Sequence, residues 1–293
     1  VTETVHLLTS PDAGRGRGDR AFAAIRAELE AEGRAVVELT GPTADASATA
    51  VTDAVRDGAS RLVVAGGDGL VHIGVQAVAG TSTALGVVPV GTGNDFARGL
   101  GLPDDPVAAT RIALGPTQAI DALRVRETWV ASVATFGFAG DVNGRANRLR
   151  FPRGPSRYTV ATVAELPRLR RRRVRLTVDD EMHEFDAALV AVANTAWFGG
   201  GMEICPDADP ADGLLDITVV GDVGRIELLR FFRLVFSGAH LDHPDVHTLR
   251  GQRVTIEDDA VDLWGDGEPL GATPAVVDCQ PGVVQIALPP APR

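Results

Sequence analysis

Two stretches of the sequence set glycines and short polar side chains where a phosphate group could be held. The first runs Leu62-Val63-Val64-Ala65-Gly66-Gly67-Asp68-Gly69, an apolar segment that enters a glycine turn and continues into a helical pattern from Val71. Glycine has no Cβ, so it admits positive φ and lets backbone N–H groups close on an anion; the start of the next helix adds partial positive charge. Asp68 falls at the carboxyl end of the strand, where open α/β sheets place ligand-contacting groups. A carboxylate beside a triphosphate suits Mg2+, directly or through water. The same residues also make an ordinary tight turn with a capping aspartate. The second stretch, Val87-Val88-Pro89-Val90-Gly91-Thr92-Gly93-Asn94-Asp95-Phe96-Ala97-Arg98, repeats strand, glycine turn and helix. Thr92 and Asn94 offer hydrogen-bonding groups, and Asp95 is expected to cap the helix whose Phe96 faces inward.

Carboxylates recur further along. Asp266-Gly267-Glu268 follows the apolar run Val261–Trp264, and a carboxylate at a turn can accept a hydroxyl proton, although the same triplet also makes a plain β-turn. Asp209-Pro210-Ala211-Asp212-Gly213-Leu214 supplies two carboxylates and a nearby carbonyl, hard oxygen ligands for Mg2+ or Ca2+; a capped turn is the alternative. Near the start, Arg15 and Arg17 sit on a glycine-spaced loop with Gly14 and could offer cations to phosphates. The histidines, among them His240, His243 and His247, show no ligand spacing and are expected at the surface or in packing.

The elements that must position these groups fall into two styles. Through about residue 120, β-branched runs (Val5–Leu8, Val36–Leu39, Leu62–Ala65, Leu85–Val90) alternate with helical patterns, one carrying Phe22, Ile25 and Leu29 on a single face. That alternation predicts a parallel sheet covered by helices. Strand-like runs then follow one another: Ala119–Val125, Val130–Thr135, Val174–Val178, Phe185–Val192, Leu214–Val220, Val261–Trp264 and Val284–Leu288. Helical patterns interrupt them at Thr159–Leu169 and Ile226–Phe236, and the second half reads as a β-sandwich. The expected domains are 1–120 and 121–283, with 284–293 packing back on the first.

Bulk properties narrow the function. A net charge of −11 argues against nucleic-acid binding, and two cysteines, Cys205 and Cys279, are too few for a disulfide framework or a zinc site. No secretory leader is expected from the opening Val1-Thr2-Glu3, and apolar runs such as Ala187–Ala193 fall short of the roughly 18 residues of a membrane span. A cytoplasmic protein that meets membranes only peripherally is expected. The charge is uneven: residues 145–175 carry eleven arginines against Glu165, a local net of +10. Such a run is either a solvated face or a contact for anionic lipid, with Leu149 and Phe151 as shallow inserts.

Together Gly66-Gly67-Asp68-Gly69, the run Pro89–Arg98, Gly200-Gly201, Pro206, Asp212–Asp216 and Asp266-Gly267-Glu268 resemble the diacylglycerol kinase catalytic-domain family, which includes bacterial lipid kinases and the sphingosine and ceramide kinases. The resemblance covers nearly the whole chain. It implies an α/β nucleotide-binding domain like those of phosphofructokinases and NAD kinases, a C-terminal β-sandwich domain, and an active site between them. It implies transfer of the γ-phosphate of ATP, with Mg2+, to a hydroxyl of a membrane lipid of diacylglycerol or sphingoid type. Asp266 would then be the base, with Glu268 and Asp68 beside it in catalysis. ATP would lie on Gly14, Arg15, Arg17, Gly66, Gly67, Asp68, Gly69, Gly91, Thr92, Gly93, Asn94 and Asp95. A structural Mg2+ would take Asp209, Asp212 and the Leu214 carbonyl. Partners are expected to be a lipid substrate and an anionic membrane surface, with a second copy of the chain as a further candidate. Departures are Leu70 and His72, where bacterial members carry Thr and Asn, and Ser10-Pro11-Asp12-Ala13-Gly14 for the family's Asn-Pro-x-Ser-Gly. They leave room for a catalytically impaired nucleotide-binding regulator; an NAD kinase shares the first glycine motif and should lack the second.

Overall fold

The computed structural model describes residues 4–10, 18–149, 156–169, 171–221, 223–257 and 260–290. The chain divides into two compact units, Val1–Ile120 with Gly282–Arg293, and Asp121–Pro281. In the first, the order is β1 (Thr4–Thr9), α1 (Gly18–Ala31), β2 (Ala35–Glu38), α2 (Ala44–Arg56), β3 (Arg61–Gly66), α3 (Asp68–Val78), β4 (Ala84–Pro89), α4 (Asp95–Gly99) and α5 (Pro106–Ala113). The strands pair in parallel in the order β2-β1-β3-β4, and Ile286 of the terminal strand adds beside Leu85. Every residue of β3 and β4 is buried, as a parallel sheet with helices on both faces requires. Ile25 and Leu29 of α1 close on Val5, Leu7 and Val63 in one apolar cluster.

The chain continues with β5 (Thr117–Val125), β6 (Thr128–Val130), β7 (Val133–Gly137), α6 (Phe138–Arg148), α7 (Ser156–Glu165), β8 (Arg172–Val178), β9 (Glu181–Ala187) and β10 (Leu189–Ala193). After these come β11 (Trp197–Phe198), β12 (Met202–Glu203), β13 (Leu215–Val220), α8 (Arg225–Leu234), β14 (Val246–Gly251), β15 (Arg253–Ile256), β16 (Asp262–Gly265), β17 (Glu268–Ala272) and β18 (Ala275–Ala287). Both β5 and β18 give residues to both units. In the second unit one antiparallel sheet has the order β14-β13-β10-β7-β16-β17, and a second antiparallel set joins β18, β15, β8 and β9. Their inner faces meet in a core that includes Phe136, Val190, Ile217, Leu176, Val254 and Val277, which makes this unit a β-sandwich.

Two expectations from the sequence change, and one helix is added. The single strand Val130–Thr135 is two strands, because the N–H groups of Ala131 and Ser132 turn to the Asp266 carboxylate instead of a ladder. The single strand Phe185–Val192 is likewise two: β9 pairs with β8, whereas β10 pairs with β7 and β13, so the chain changes sheets at Ala188. Helix α6 is unforeseen, since Gly140 and Gly144 lower its intrinsic propensity. Packing overrides that, with Phe138, Ala139, Val142 and Ala146 buried in a second cluster. The glycines also let the helix lie close to β16, where a Cβ on Gly140 would come within 3.1 Å of the Trp264 ring.

Candidate functional site

In the first unit β3 and β4 end side by side, with Gly66 paired to Pro89 and the Val90 N–H donating to the Gly66 carbonyl at 3.1 Å. The two glycine turns therefore emerge together. They also touch: a Cβ on Gly91 would lie 2.5 Å from the Gly67 Cα and 2.7 Å from Asn94 Oδ1. Asn94 adopts a left-handed conformation (φ 55°), and its side-chain amide closes a ring on Gly91, accepting the Gly91 N–H and donating to the Gly91 carbonyl at 3.1 Å each. Asp68 opens α3, and its Oδ1 accepts the Phe96 N–H at 3.2 Å. Helix α4 is thus capped from the other turn by Asp68. The expected cap, Asp95, is instead buried and paired to Arg98 at 2.9 Å.

Gly69 differs from these neighbours. It lies in the first turn of α3 without a positive φ, and no heavy atom stands within 4 Å of where its Cβ would be. Packing explains Gly66 and Gly91 but gives no reason for Gly69. Its missing side chain leaves open space beside the helix start, next to Asp68. Thr92 is exposed and Gly93 half-buried on the facing turn. Gly14, Arg15 and Arg17 lie outside the described residues.

In the second unit Asp266 and Gly267 both have positive φ (52° and 87°) and join β16 to β17 as a two-residue hairpin turn. The Asp266 carboxylate accepts the Ala131 N–H at 2.7 Å and the Ser132 N–H at 2.9 Å, one on each oxygen. This fixes the carboxylate plane. Glu268 begins β17 and is exposed.

The loop 209–214 is organised by groups that carry no sequence signature. Buried Asp121 accepts the Gly213 N–H at 2.7 Å and donates its own N–H to the Pro210 carbonyl at 2.7 Å. Asn194 Nδ2 donates to the carbonyls of Asp121 and Ala131, at 2.9 and 3.0 Å, which links this loop to the turn that orients Asp266. Only tertiary contact reveals these roles. Asp209 caps the Ala211 N–H at 3.0 Å; Asp212 accepts the Leu214 N–H at 2.9 Å and pairs with Arg250, which also reaches Asp216 at 2.9 Å. Burial raises Asp216 above the usual carboxylate range, against the opposing pull of Arg250. Hard oxygens are present for a divalent cation, and each oxygen of Asp212 already accepts from one protein donor, the Leu214 N–H and Arg250. Among the described residues no cluster of three or more His, Cys, Asp or Glu side chains is placed to hold a metal.

An apolar pocket opens in the second unit between α6, α7, α8 and the sheet, enclosing about 510 Å³ including its open mouth. Val142, Leu189, Ile204, Phe231 and Phe232 line it, and Asn143 and Thr162 supply its polar edge. Its size and lining suit a small apolar ligand. The cysteines are buried thiols that burial pushes up to about 12, too high for nucleophiles.

The arginine-rich segment is more neutral than its composition. Arg145 pairs with Glu165, Arg173 with Glu184 at 2.6 Å, and Arg175 with Glu184 and Glu257 at 2.8 and 3.5 Å. Leu149 packs against the apolar cluster under α6 and is not a free insert; Phe151, Arg150, Arg153 and Arg170 lie outside the described residues. No helix among the described residues is long and apolar enough to cross a membrane.

Comparison with known proteins covers both units. Residues 4–125 match the diacylglycerol kinase catalytic domain, and residues 132–288 match the YegS C-terminal NAD kinase beta sandwich-like domain. The chain is 40% identical over 293 residues to a diacylglycerol kinase of Mycobacterium tuberculosis, covering 97% of this chain and 95% of that one. To a YegS-like lipid kinase of Cronobacter sakazakii it is 31% identical over 264 residues, covering 87% and 86%. Its fold is similar to that of a diacylglycerol kinase from Bacillus anthracis, with TM-score 0.76, 22% identity and coverage of 99% and 98%.

Proposed function

The chain belongs to the diacylglycerol kinase and YegS-like lipid kinase family, and from that premise we propose that it transfers the γ-phosphate of ATP to a hydroxyl of a membrane lipid of diacylglycerol or sphingoid type. The observation that carries the nucleotide's place is Gly69, whose missing side chain serves no packing purpose yet clears the start of α3. Backbone N–H groups of 66–69 and 91–95 would meet the phosphates there, with Gly14, Arg15 and Arg17 adding N–H groups and cations. Mg2+ bound with the triphosphate would be held by Asp68 and would neutralise charge on the phosphate oxygens.

Asp266 is assigned the base. As the lipid oxygen forms its bond to the γ-phosphorus and the bond to the bridging β–γ oxygen breaks, the hydroxyl proton passes to the carboxylate and ADP leaves. Two backbone donors hold that carboxylate in one orientation, and a positioned base needs this. Exposed Glu268 is the neighbour assigned to help order the metal or the base. The apolar pocket is assigned the hydrocarbon tail of the acceptor.

The test is incubation with labelled ATP and Mg2+ against diacylglycerol, ceramide, sphingosine and NAD in separate reactions. Label in a lipid phosphate is expected. Label in NADP, or in no product under conditions where nucleotide binds, would reject the reading.

A further inference from the structure

The pocket in the second unit opens between two helices whose outward faces are unlike the rest of the surface. Among the described residues six large apolar side chains are exposed, and four of them lie on α7 and on α8 with the turn after it: Val160 (43%), Val163 (56%), Leu234 (37%) and Phe236 (45%). Isolated exposed apolar residues are ordinary, whereas concentration on the elements around one pocket is informative. Both elements reach the pocket itself, α7 through Thr162 and α8 through Leu228, Phe231 and Phe232. Phe236 stands edge-on against Phe232, with ring centroids 5.4 Å apart, so it continues the pocket lining out to the surface.

Cations also stand on α8. Arg230 and Arg233 of α8 are exposed and, among the described residues, have no acidic partner. Arg145, Arg173 and Arg175, by contrast, are each paired to a glutamate. Arg230 is four residues before Leu234 and Arg233 three before Phe236, which puts each cation beside an exposed apolar side chain. Long basic side chains over apolar ones can reach lipid phosphates while the apolar groups enter the acyl boundary.

We infer that the mouth of this pocket, formed by α7 and by α8 with its following turn, is the face by which the protein docks on an anionic lipid bilayer. The occupant follows from charge and chemistry together. A chain of net charge −11 is repelled by an anionic surface unless cations without an acidic partner are presented locally, as, among the described residues, Arg230 and Arg233 are. A bilayer also covers the exposed apolar rim and sets lipid directly at the pocket entrance. The inference rests on the lipid-kinase reading for its purpose but is measured without catalysis.

The experiment is co-sedimentation of the full chain, without nucleotide, with vesicles of phosphatidylcholine alone and of phosphatidylcholine mixed with phosphatidylglycerol. Arg230→Gln combined with Arg233→Gln is expected to weaken partitioning to the anionic vesicles by about 30-fold. Val163→Ser combined with Phe236→Ser should weaken binding to both vesicle types. A control with the same charge change in the first unit, Arg26→Gln with Arg56→Gln, should lose less than about threefold. Phosphorylation of a short-chain diacylglycerol dissolved as monomers should survive in Arg230→Gln/Arg233→Gln and in Arg26→Gln/Arg56→Gln, because none of these four residues lines the proposed site. Binding of Arg230→Gln/Arg233→Gln equal to the parent's, or no vesicle binding by the parent, overturns the docking face. So does a stable dimer in sedimentation velocity that Phe236→Ser dissociates. Failure of the parent to phosphorylate any lipid, seen in the separate assay, counts against the kinase reading instead.

Discussion

Replacing Gly69 by alanine separates a glycine kept for folding from one kept for a ligand, because the two roles predict opposite signs. The residue sits in the first turn of α3 with no positive φ, and its new methyl group would meet no heavy atom within 4 Å. Alanine at such a position reduces the freedom of the unfolded chain and favours the helix, a gain of about 0.4–1 kcal/mol. In a chain of this size that raises the melting temperature by about 1–4 °C. The same methyl group would occupy the space into which a triphosphate must come to meet the backbone N–H groups. Overpacking a site in this way costs about 1–3 kcal/mol, or roughly fivefold to 150-fold in nucleotide affinity. Thermal melting and calorimetric titration with a non-hydrolysable ATP analogue and Mg2+ read both effects on one sample. A more stable variant with unchanged nucleotide affinity would refute the assignment of phosphates to this turn.

Gly91→Ala should act the other way on stability, losing about 1–3 kcal/mol, since its Cβ would lie 2.5 Å from the Gly67 Cα and no flexible side chain can yield; melting checks this. Asp266→Asn keeps a residue type that tolerates the φ of 52° but removes the charge and one of two acceptors. It should lower kcat by at least about 100-fold, with a stability loss near 1–2 kcal/mol, and full turnover in steady-state kinetics would reject Asp266 as base. His240 is buried, with Nε2 3.0 Å from the Ile204 carbonyl and, among the described residues, no partner for Nδ1, and burial holds its pKa below the ordinary histidine value of about 6.5. The unfolded chain therefore binds the proton more readily, and stability falls as pH drops below about 6.5 while nothing is lost above it. His240→Gln should lower the melting temperature near neutrality yet flatten its fall between pH about 7.5 and about 5.5; an unchanged slope would place the acid sensitivity elsewhere.

The histidines show how far sequence reading reaches. Absence of ligand spacing left His240 to the surface or to packing; its contact with Ile204, 36 residues earlier, is visible only in the fold. The arginine run taught the opposite lesson. Composition showed eleven cations against one acid, whereas Arg175 faces Glu184 across the β8–β9 ladder and meets Glu257 just past the end of β15. Charge counted along a chain says little about charge in space when strands bring distant acids alongside.

By itself the sequence determined the glycine turns at Gly66–Gly69 and Gly91–Asp95 and the buried strands that lead into them, because apolar run, glycine and helix start are adjacent in the chain and each acts locally. It likewise carried the change from alternating helices and strands to a β-rich second half. Tertiary structure decided where the chain breaks at Ala131-Ser132, that Asp68 caps α4, and how Asp266, Asn194 and Asp121 join through backbone groups. It also assembled the apolar pocket from α6, α7, α8 and β10. Those arrangements rest on hydrogen bonds and contacts between residues dozens to more than a hundred positions apart, whose partners are chosen by packing after the local elements have formed.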